Sequence, residues 1–208
     1  ALTCERIFGS IAFMVSAIVL AAGEGRRMGR PKATLPARGG RTLLEEALRK
    51  ARVAGDEVIV VLGAKATDTQ RRVPLGGTTV VVNRQYRRGM LTSLQAGLRA
   101  VHPASRGAFV LLVDLPAIRP ATVRALARAV HLAPNRIHVP VFQGQRGHPV
   151  YFPRRAFAAL FRAPFKVGAR WVVRRNPRLV VEHPVRDRGV CLDVVTPEVY
   201  RRYLRGRG

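Results

Sequence analysis

The sequence predicts an α/β fold built on a single doubly wound, mostly parallel sheet flanked by helices. Three observations predict it. The runs "AIVL" (17–20), "VIVVL" (58–62) and "FVLLV" (109–113) are continuously apolar rather than alternating, the pattern of strands covered on both faces. Longer segments with helical periodicity separate them, as in chains that alternate strand and helix. A chain of 208 residues that is 48% hydrophobic has the material for one domain with a sizeable core.

The elements follow in order. The first strand, 17–20, opens the run "SAIVLAAG", a buried strand leading into a loop. Residues 7–23 carry no charge, yet Glu5 offsets Arg6 where a signal peptide wants a basic start, and a spanning helix wants about 20 apolar residues. Residues 1–13 read as an N-terminal extension and 14–208 as the domain. A helix is expected at 42–53 ("TLLEEALRKARV"), strands at 57–62 and 78–82, and a helix at 90–101 ("MLTSLQAGLRAV"). Then come a strand at 109–113, a helix at 120–129 and a strand at 136–141. "FQGQRGHPVYF" has the look of a hairpin or projecting loop that contains a strand at 149–152. A helix over 153–166 breaks at Pro164, and a strand at 179–181 and a helix at 196–203 complete the chain. Insertions at the carboxyl ends of strands are where open α/β sheets bind ligands.

The formal net charge is +25, from 37 Lys+Arg against 12 Asp+Glu, and only four of the 37 are lysines. Such a surface attracts polyanions: nucleic acid, acidic lipid or phosphorylated small molecules. The arginines are scattered over the chain rather than gathered in a tail, so nucleic acid is not the expected main partner. Two cysteines, Cys4 and Cys191, form neither a CxxC nor a disulfide framework, which points to a reduced, cytoplasmic protein. Five histidines without HxH or HxxxH spacing argue against zinc.

The stretch "LAAGEGRRMGRPK" (20–32) packs three glycines, three arginines and a lysine behind the first strand. A dinucleotide fingerprint would need glycine at Met28, and no Walker A string occurs. The physical content remains. A strand ending at Leu20 delivers the chain to the sheet edge, and Gly23, Gly25 and Gly29 let backbone N–H groups approach an anion. Arg27 offers a rigid fork to phosphate oxygens and Lys32 a compact charge, with Pro31 pinning the turn before it.

"LAAGEGRRMGRPKATLP" resembles the LAAGxSxRMGxxK signature of the small nucleotidyltransferases that activate the molybdenum cofactor. The likeness is greatest to the cytidylyltransferase branch, with the guanylyltransferases as cousins. It extends over nearly all of residues 14–203. "VNRQYRRGMLTSLQAGL" is similar to the family's NPxWxxGMxxSLxxGL segment, including Asn83, Gly89, Met90, Ser93, Leu94 and Gly97. "VLLVDLPAI" resembles the strand end that carries the metal-binding aspartate, here Asp114. "GQRGHPVYF" matches the loop facing the second substrate, with Arg146, Gly147 and His148. "CLDVVTPEVY" is similar to the family's DIDTPED segment. Two positions depart: Val195 stands where the second aspartate of DIDTP is usual, and Lys166 where GDxGAR has its aspartate.

The resemblance implies a Rossmann-like nucleotidyltransferase fold and a cytoplasmic enzyme. Its reaction would pass CMP from CTP, in preference to GMP from GTP, to the terminal phosphate of molybdopterin and release pyrophosphate. A triphosphate brings roughly four negative charges, so Mg²⁺ is the implied cofactor, held by Asp114 and by Asp193. Arg27, Lys32 and Asp114 would be catalytic, while Leu20, Ala22, Gly23, Gly25, Arg27, Lys32, Gly89 and Ser93 would bind the nucleotide. A phosphorylated pterin would be the second substrate, and a molybdoenzyme apoprotein or its chaperone a further partner. Plainer readings stand beside these. An aspartate before "LP" also suits a helix cap, Ser93 a helix surface, and Asp193 a pair with arginine. His148 serves as a brace for its own loop as readily as it contacts the acceptor. Trp171 and Phe165 read as core rather than a pterin platform, and Cys191 as buried filling. Two alternatives stand: the same reaction with GTP or another phosphorylated acceptor, and, from a different class, an arginine-rich nucleic-acid binder. Lys166 keeps the acceptor open.

Overall fold

A computed structural model describes residues 13–206. Eight strands form one sheet: β1 (Ser16–Ala21), β2 (Glu57–Leu62), β3 (Thr79–Val82), β4 (Gly107–Leu112), β5 (Ile137–Phe142), β6 (Gln145–Arg146), β7 (Val150–Pro153) and β8 (Val180–Pro184). The order is β3-β2-β1-β4-β7-β5-β6, with β8 paired to the other side of β5. The pairs β1–β2, β1–β4, β2–β3 and β5–β8 are parallel, while β4–β7, β5–β7 and β5–β6 are antiparallel. The expected mostly parallel, doubly wound sheet is what forms. The antiparallel β7, seated between β4 and β5, is what the helix-strand alternation did not disclose.

The helices are α1 (Leu43–Ala54), α2 (Ala66–Arg72), α3 (Met90–Arg99), α4 (Pro120–Leu132), α5 (Phe157–Arg162), α6 (Arg170–Arg175) and α7 (Pro197–Leu204). Side chains of β1 alternate between two cores. Ala17, Val19 and Ala21 face a cluster that takes Leu43, Leu44, Leu48 and Ala51 of α1 and Val123, Leu126 and Val130 of α4. Ile18 and Leu20 face another, built with Leu91, Leu94 and Leu98 of α3 and Leu160 of α5. Both faces of β1 are therefore buried, which is why its sequence shows no alternation. α1 starts on a reciprocal cap: the Thr42 hydroxyl accepts from the Glu45 N–H and the Glu45 carboxylate accepts from the Thr42 N–H. α3 lies close on the sheet because residue 97 is glycine. A Cβ there would sit 2.6 Å from Ile18 Cγ2 and 3.0 Å from Val61 Cγ2.

Of the expected extension 1–13, only Phe13 falls among the described residues. It packs against the core, with its ring 4.4 Å from that of His131 in α4. The expected helix over 153–166 is instead a 3₁₀ turn, Arg154–Ala156, followed by the short α5. Residues 145–146 and 150–153 form the two short strands of the projecting segment. α2 and α6 carry little apolar periodicity and were not expected.

Candidate active site

β1 and β4 lie side by side, Leu20 opposite Leu112, and the chain leaves both at their carboxyl ends. β2 and β3 extend to one side of β1 and β4 to the other, so the crevice above this pair is the topological switch point of the sheet. A cavity of about 220 Å³ opens there. Leu20 to Gly23 and Gly25 line it at and beyond the end of β1, Leu112 to Asp114 at and beyond the end of β4, and Lys32, Tyr86, Met90 and Ser93 stand on its wall.

The loop after β1 is shaped by its glycines for two different reasons. Gly25 (φ 66°) is left-handed, and a Cβ on it would collide with the Arg30 carbonyl. Gly23 has an ordinary φ, and a Cβ added there would meet nothing within 4 Å. The fold does not demand a glycine at 23; its bare backbone simply leaves room on the cavity wall. A 3₁₀ turn, Arg26–Met28, follows, and a second, Lys32–Thr34, carries the lysine.

Lys32 Nζ donates to Asp114 Oδ2 at 2.9 Å, with the two side chains 17% and 25% exposed. The pair brings the loop after β1 onto the end of β4. Ser93, in the first turn of α3, is 3% exposed. Its hydroxyl accepts from Asn83 Nδ2 at 2.9 Å and so keeps its own proton for another acceptor. Asn83 also donates to Thr92 Oγ1, while its Oδ1 accepts from the Gln85 N–H.

The sequence-expected residues divide clearly. Leu20, Ala22, Gly23, Gly25, Lys32, Ser93 and Asp114 meet on one wall. Gly89 caps α3 with φ 115° but does not line the cavity. Arg27 is exposed on its 3₁₀ turn and points into neither cavity. Asp193 is exposed; its neighbour Val194 donates its N–H to the Asp114 carbonyl at 2.7 Å, so the two carboxylates stem from backbones in contact. Among the described residues no group of three or more His, Cys, Asp and Glu side chains gathers as a metal cage. Tyr86 and Glu24 went unnoticed in the sequence. Glu24 bridges Arg26 and Arg87 (2.5 and 2.7 Å), and those two guanidinium groups, Arg87 first, hold its carboxyl down at about 2. A glutamate within an arginine-rich loop was the available signal.

A larger cavity of about 630 Å³ adjoins the first, sharing Leu20, Met90 and Leu112 with it. Arg146, Gly147 and His148 lie on its wall, as do Phe165 and Lys166. His148 Nδ1 lies 3.3 Å from the Val110 carbonyl, and burial pushes its pKa below the usual histidine value. Phe165, expected in the core, is 44% exposed on this cavity with Arg88 over its ring at 4.7 Å. Trp171 packs against the core as expected. Cys191 is half-buried rather than filling the interior.

The MobA-like NTP transferase domain matches residues 17–180. The chain belongs to that family. It is accordingly a nucleotidyltransferase. The chain is 37% identical over 202 residues to nicotine blue oxidoreductase of Paenarthrobacter nicotinovorans, covering 91% of this chain and 96% of the relative. It is 25% identical to the molybdenum cofactor cytidylyltransferase of Escherichia coli (strain K12), over 88% of this chain and 92% of that one. Among solved structures, Rv0371c of Mycobacterium tuberculosis superposes with a TM-score of 0.80 at 37% identity, covering 93% and 98% of the two chains. Rv0371c has also been solved in complex with manganese; that structure has a TM-score of 0.76 at 36% identity, over 92% and 98% of the chains. Among the described residues of this MobA-like protein, no helix is long and apolar enough to cross a membrane.

Proposed function

We propose that this MobA-like enzyme works in the cytoplasm and transfers CMP from CTP to the terminal phosphate of molybdopterin, releasing pyrophosphate. The observation that carries the reading is the position of the Lys32–Asp114 pair on the wall of the smaller cavity, beside a second cavity reaching the RGHPV loop. The triphosphate occupies the smaller cavity. The open backbone at Gly23 admits its phosphates, the Ser93 hydroxyl donates to the nucleoside, and Lys32 turns to a phosphate oxygen. Asp114 and Asp193, whose backbones meet through the Val194 N–H, would hold Mg²⁺, since their carboxylate oxygens are the hard donors such a cation takes. Bound there, Mg²⁺ would offset the charge of the triphosphate and of the departing pyrophosphate.

The acceptor phosphate sits in the larger cavity and attacks the α-phosphorus in line. A new phosphorus–oxygen bond forms there as the bond to the β-phosphate breaks. A phosphate nucleophile is already ionised near neutral pH. His148, its pKa lowered by burial and its ring held by Val110, acts as a brace rather than a base. The protein's share of catalysis is positioning and charge.

Cytosine preference is supported by the "LAAG" string, where the guanylyl branch reads LAGG. Ala22 is buried, its carbonyl is taken by the Ala64 N–H at 3.1 Å, and its methyl lies against Gly63. The methyl thus fixes the loop rather than simply filling the cavity, and base choice falls to the remaining backbone groups. A wrong base leaves such groups unpaired, which discriminates more strongly than a methylene of misfit, worth about 1–3 kcal/mol.

The test compares kcat/KM for CTP, UTP, GTP and ATP at fixed Mg²⁺ with molybdopterin. A tenfold GTP preference, about 1.4 kcal/mol, would place the protein with the guanylyltransferases of the family. The P. nicotinovorans relative favours a second reading, an oxidoreductase on the same fold. Among the described residues the single cysteine is Cys191, so electron transfer would need a bound carrier. Reduction of nicotine blue by a supplied electron donor, without pyrophosphate release from any triphosphate, would establish that reading instead.

A further inference from the structure

Lys50 of α1 is 2% exposed, one of the largest fully buried side chains in the molecule. Its Nζ donates to the carbonyls of Leu115 (3.4 Å) and Pro116 (2.5 Å), the two residues that follow Asp114. The Asp114 carbonyl itself accepts from Val194. Three consecutive carbonyls of the bend are therefore tied, two of them by one ammonium group reaching from 65 and 66 positions earlier in the chain. Pro116 has no N–H, and the N–H of Leu115 closes only a local turn onto Leu112 at 3.3 Å, so little else fixes this segment from within. Leu115 and Ile118 anchor its apolar side in the core.

A buried lysine is an expensive way to fill space. Burial pushes its pKa down to about 8, opposed by Glu46 and Asp187 and assisted by Arg49. A methionine would fill the same volume without that cost. What methionine lacks is donors for two carbonyls turned into the interior.

We propose that Lys50 is a positioning residue for Asp114: by holding the carbonyls of residues 115 and 116 it sets the bend that directs the Asp114 carboxylate into the cavity. Lys50 touches neither cavity and makes no contact with substrate. Its action passes through the backbone to the carboxylate, as hydrogen-bonded partners behind metal ligands orient those ligands. The inference rests on the reading of Asp114 as the cation ligand.

The test is Lys50→Met, with Mn²⁺ bound in the presence of CTP as the probe, measured by electron paramagnetic resonance on the full-length protein. The apparent Kd for Mn²⁺ is expected to rise about 10- to 100-fold. The kcat should fall in parallel, while the KM for CTP at saturating metal changes little. Leu48→Ala, a core truncation on the same helix, serves as the control for general destabilisation and should leave Mn²⁺ affinity unchanged. In an Asp114→Ala background, Lys50→Met should produce no further loss. Wild-type Mn²⁺ affinity in folded Lys50→Met, equal losses in Leu48→Ala, or full additivity with Asp114→Ala would each overturn the proposal. Should Lys50→Met fail to fold, Lys50→Gln, whose shorter amide reaches at most one carbonyl, is expected to weaken Mn²⁺ at least threefold; wild-type affinity there overturns it equally. If Asp114→Ala alone binds Mn²⁺ as wild type does, the metal reading fails, whatever Lys50 does.

Discussion

Lys32 Nζ and Asp114 Oδ2 lie 2.9 Å apart, joining the glycine-rich loop after β1 to the end of β4 across 82 positions of sequence. The two charges are what a metal–triphosphate complex needs presented separately: a cation for phosphate oxygens and a carboxylate for the metal. Both side chains are partly open to solvent, so the pair contributes modestly to stability and exchanging it for ligand contacts costs little.

Lys32→Ala should leave the protein folded and weaken CTP binding by roughly 1.5–3 kcal/mol, the loss of one charge-assisted contact. That corresponds to roughly 10- to 150-fold in Kd. Titration calorimetry with CTP and Mg²⁺ reads it directly, and unchanged affinity in a folded variant removes Lys32 from the phosphate site.

Asp114→Ala should abolish turnover, whereas Asp193→Ala should reduce it less completely. Asp193 is exposed and joins the site only through its neighbour's hydrogen bond to the Asp114 carbonyl, and Val195 has already thinned that side. Initial rates across a magnesium titration separate the two. Wild-type activity in Asp114→Ala at any magnesium concentration contradicts the metal assignment.

The two loop glycines should answer to opposite measurements. Gly25→Ala forces a side chain into left-handed backbone and against the Arg30 carbonyl. Strained positions of this sort cost about 1–3 kcal/mol, so Tm should fall. Gly23→Val meets open space and has an ordinary φ. Its Tm should stay near wild type while CTP affinity drops at least about tenfold, or 1.4 kcal/mol. Intact CTP binding in Gly23→Val would mean that the nucleotide does not pass along this wall.

The parts of this architecture legible in the sequence share a physical trait. β1, β2 and β4 are buried on both faces, so their uninterrupted apolar runs marked them within two residues. The glycine loop and Asp114 were legible because both sit at strand ends. What escaped depends on contacts remote in sequence. β7 pairs antiparallel with β4, and its string gives no clue to direction. α6 is six residues with three arginines, too short and polar to show periodicity. Nothing in "LRKAR" reveals that the Lys50 ammonium turns inward to two carbonyls. Arg27, expected at the phosphates, stands exposed on its 3₁₀ turn and lines neither cavity.

Lys50 also gives the protein a pH dependence of defined sign. Its folded pKa is lowered, from the ordinary 10.5 to about 8, by burial first, against Glu46 and Asp187 and together with Arg49. Below pH 8 the native state carries a buried charge at a penalty of about 3 kcal/mol, which fades as the pH rises from 8 toward 10.5. Between pH 7 and pH 10 the wild type should therefore gain about 2–3 kcal/mol relative to Lys50→Met. Urea unfolding of both proteins at the two pH values tests this, and a gap that stays constant, or narrows as the wild type loses ground, contradicts the burial of a charged lysine.

Isotope transfer separates nucleotidyl transfer from simple hydrolysis of the triphosphate. Incubated with molybdopterin, Mg²⁺ and CTP labelled at the α-phosphorus, the enzyme should place the label in a molybdopterin–cytidine dinucleotide, while label at the β-phosphorus leaves as pyrophosphate. Both outcomes should vanish in Asp114→Ala. Release of the α-label as free CMP with no adduct, or no metal-dependent turnover of any triphosphate, would contradict nucleotidyl transfer to this acceptor.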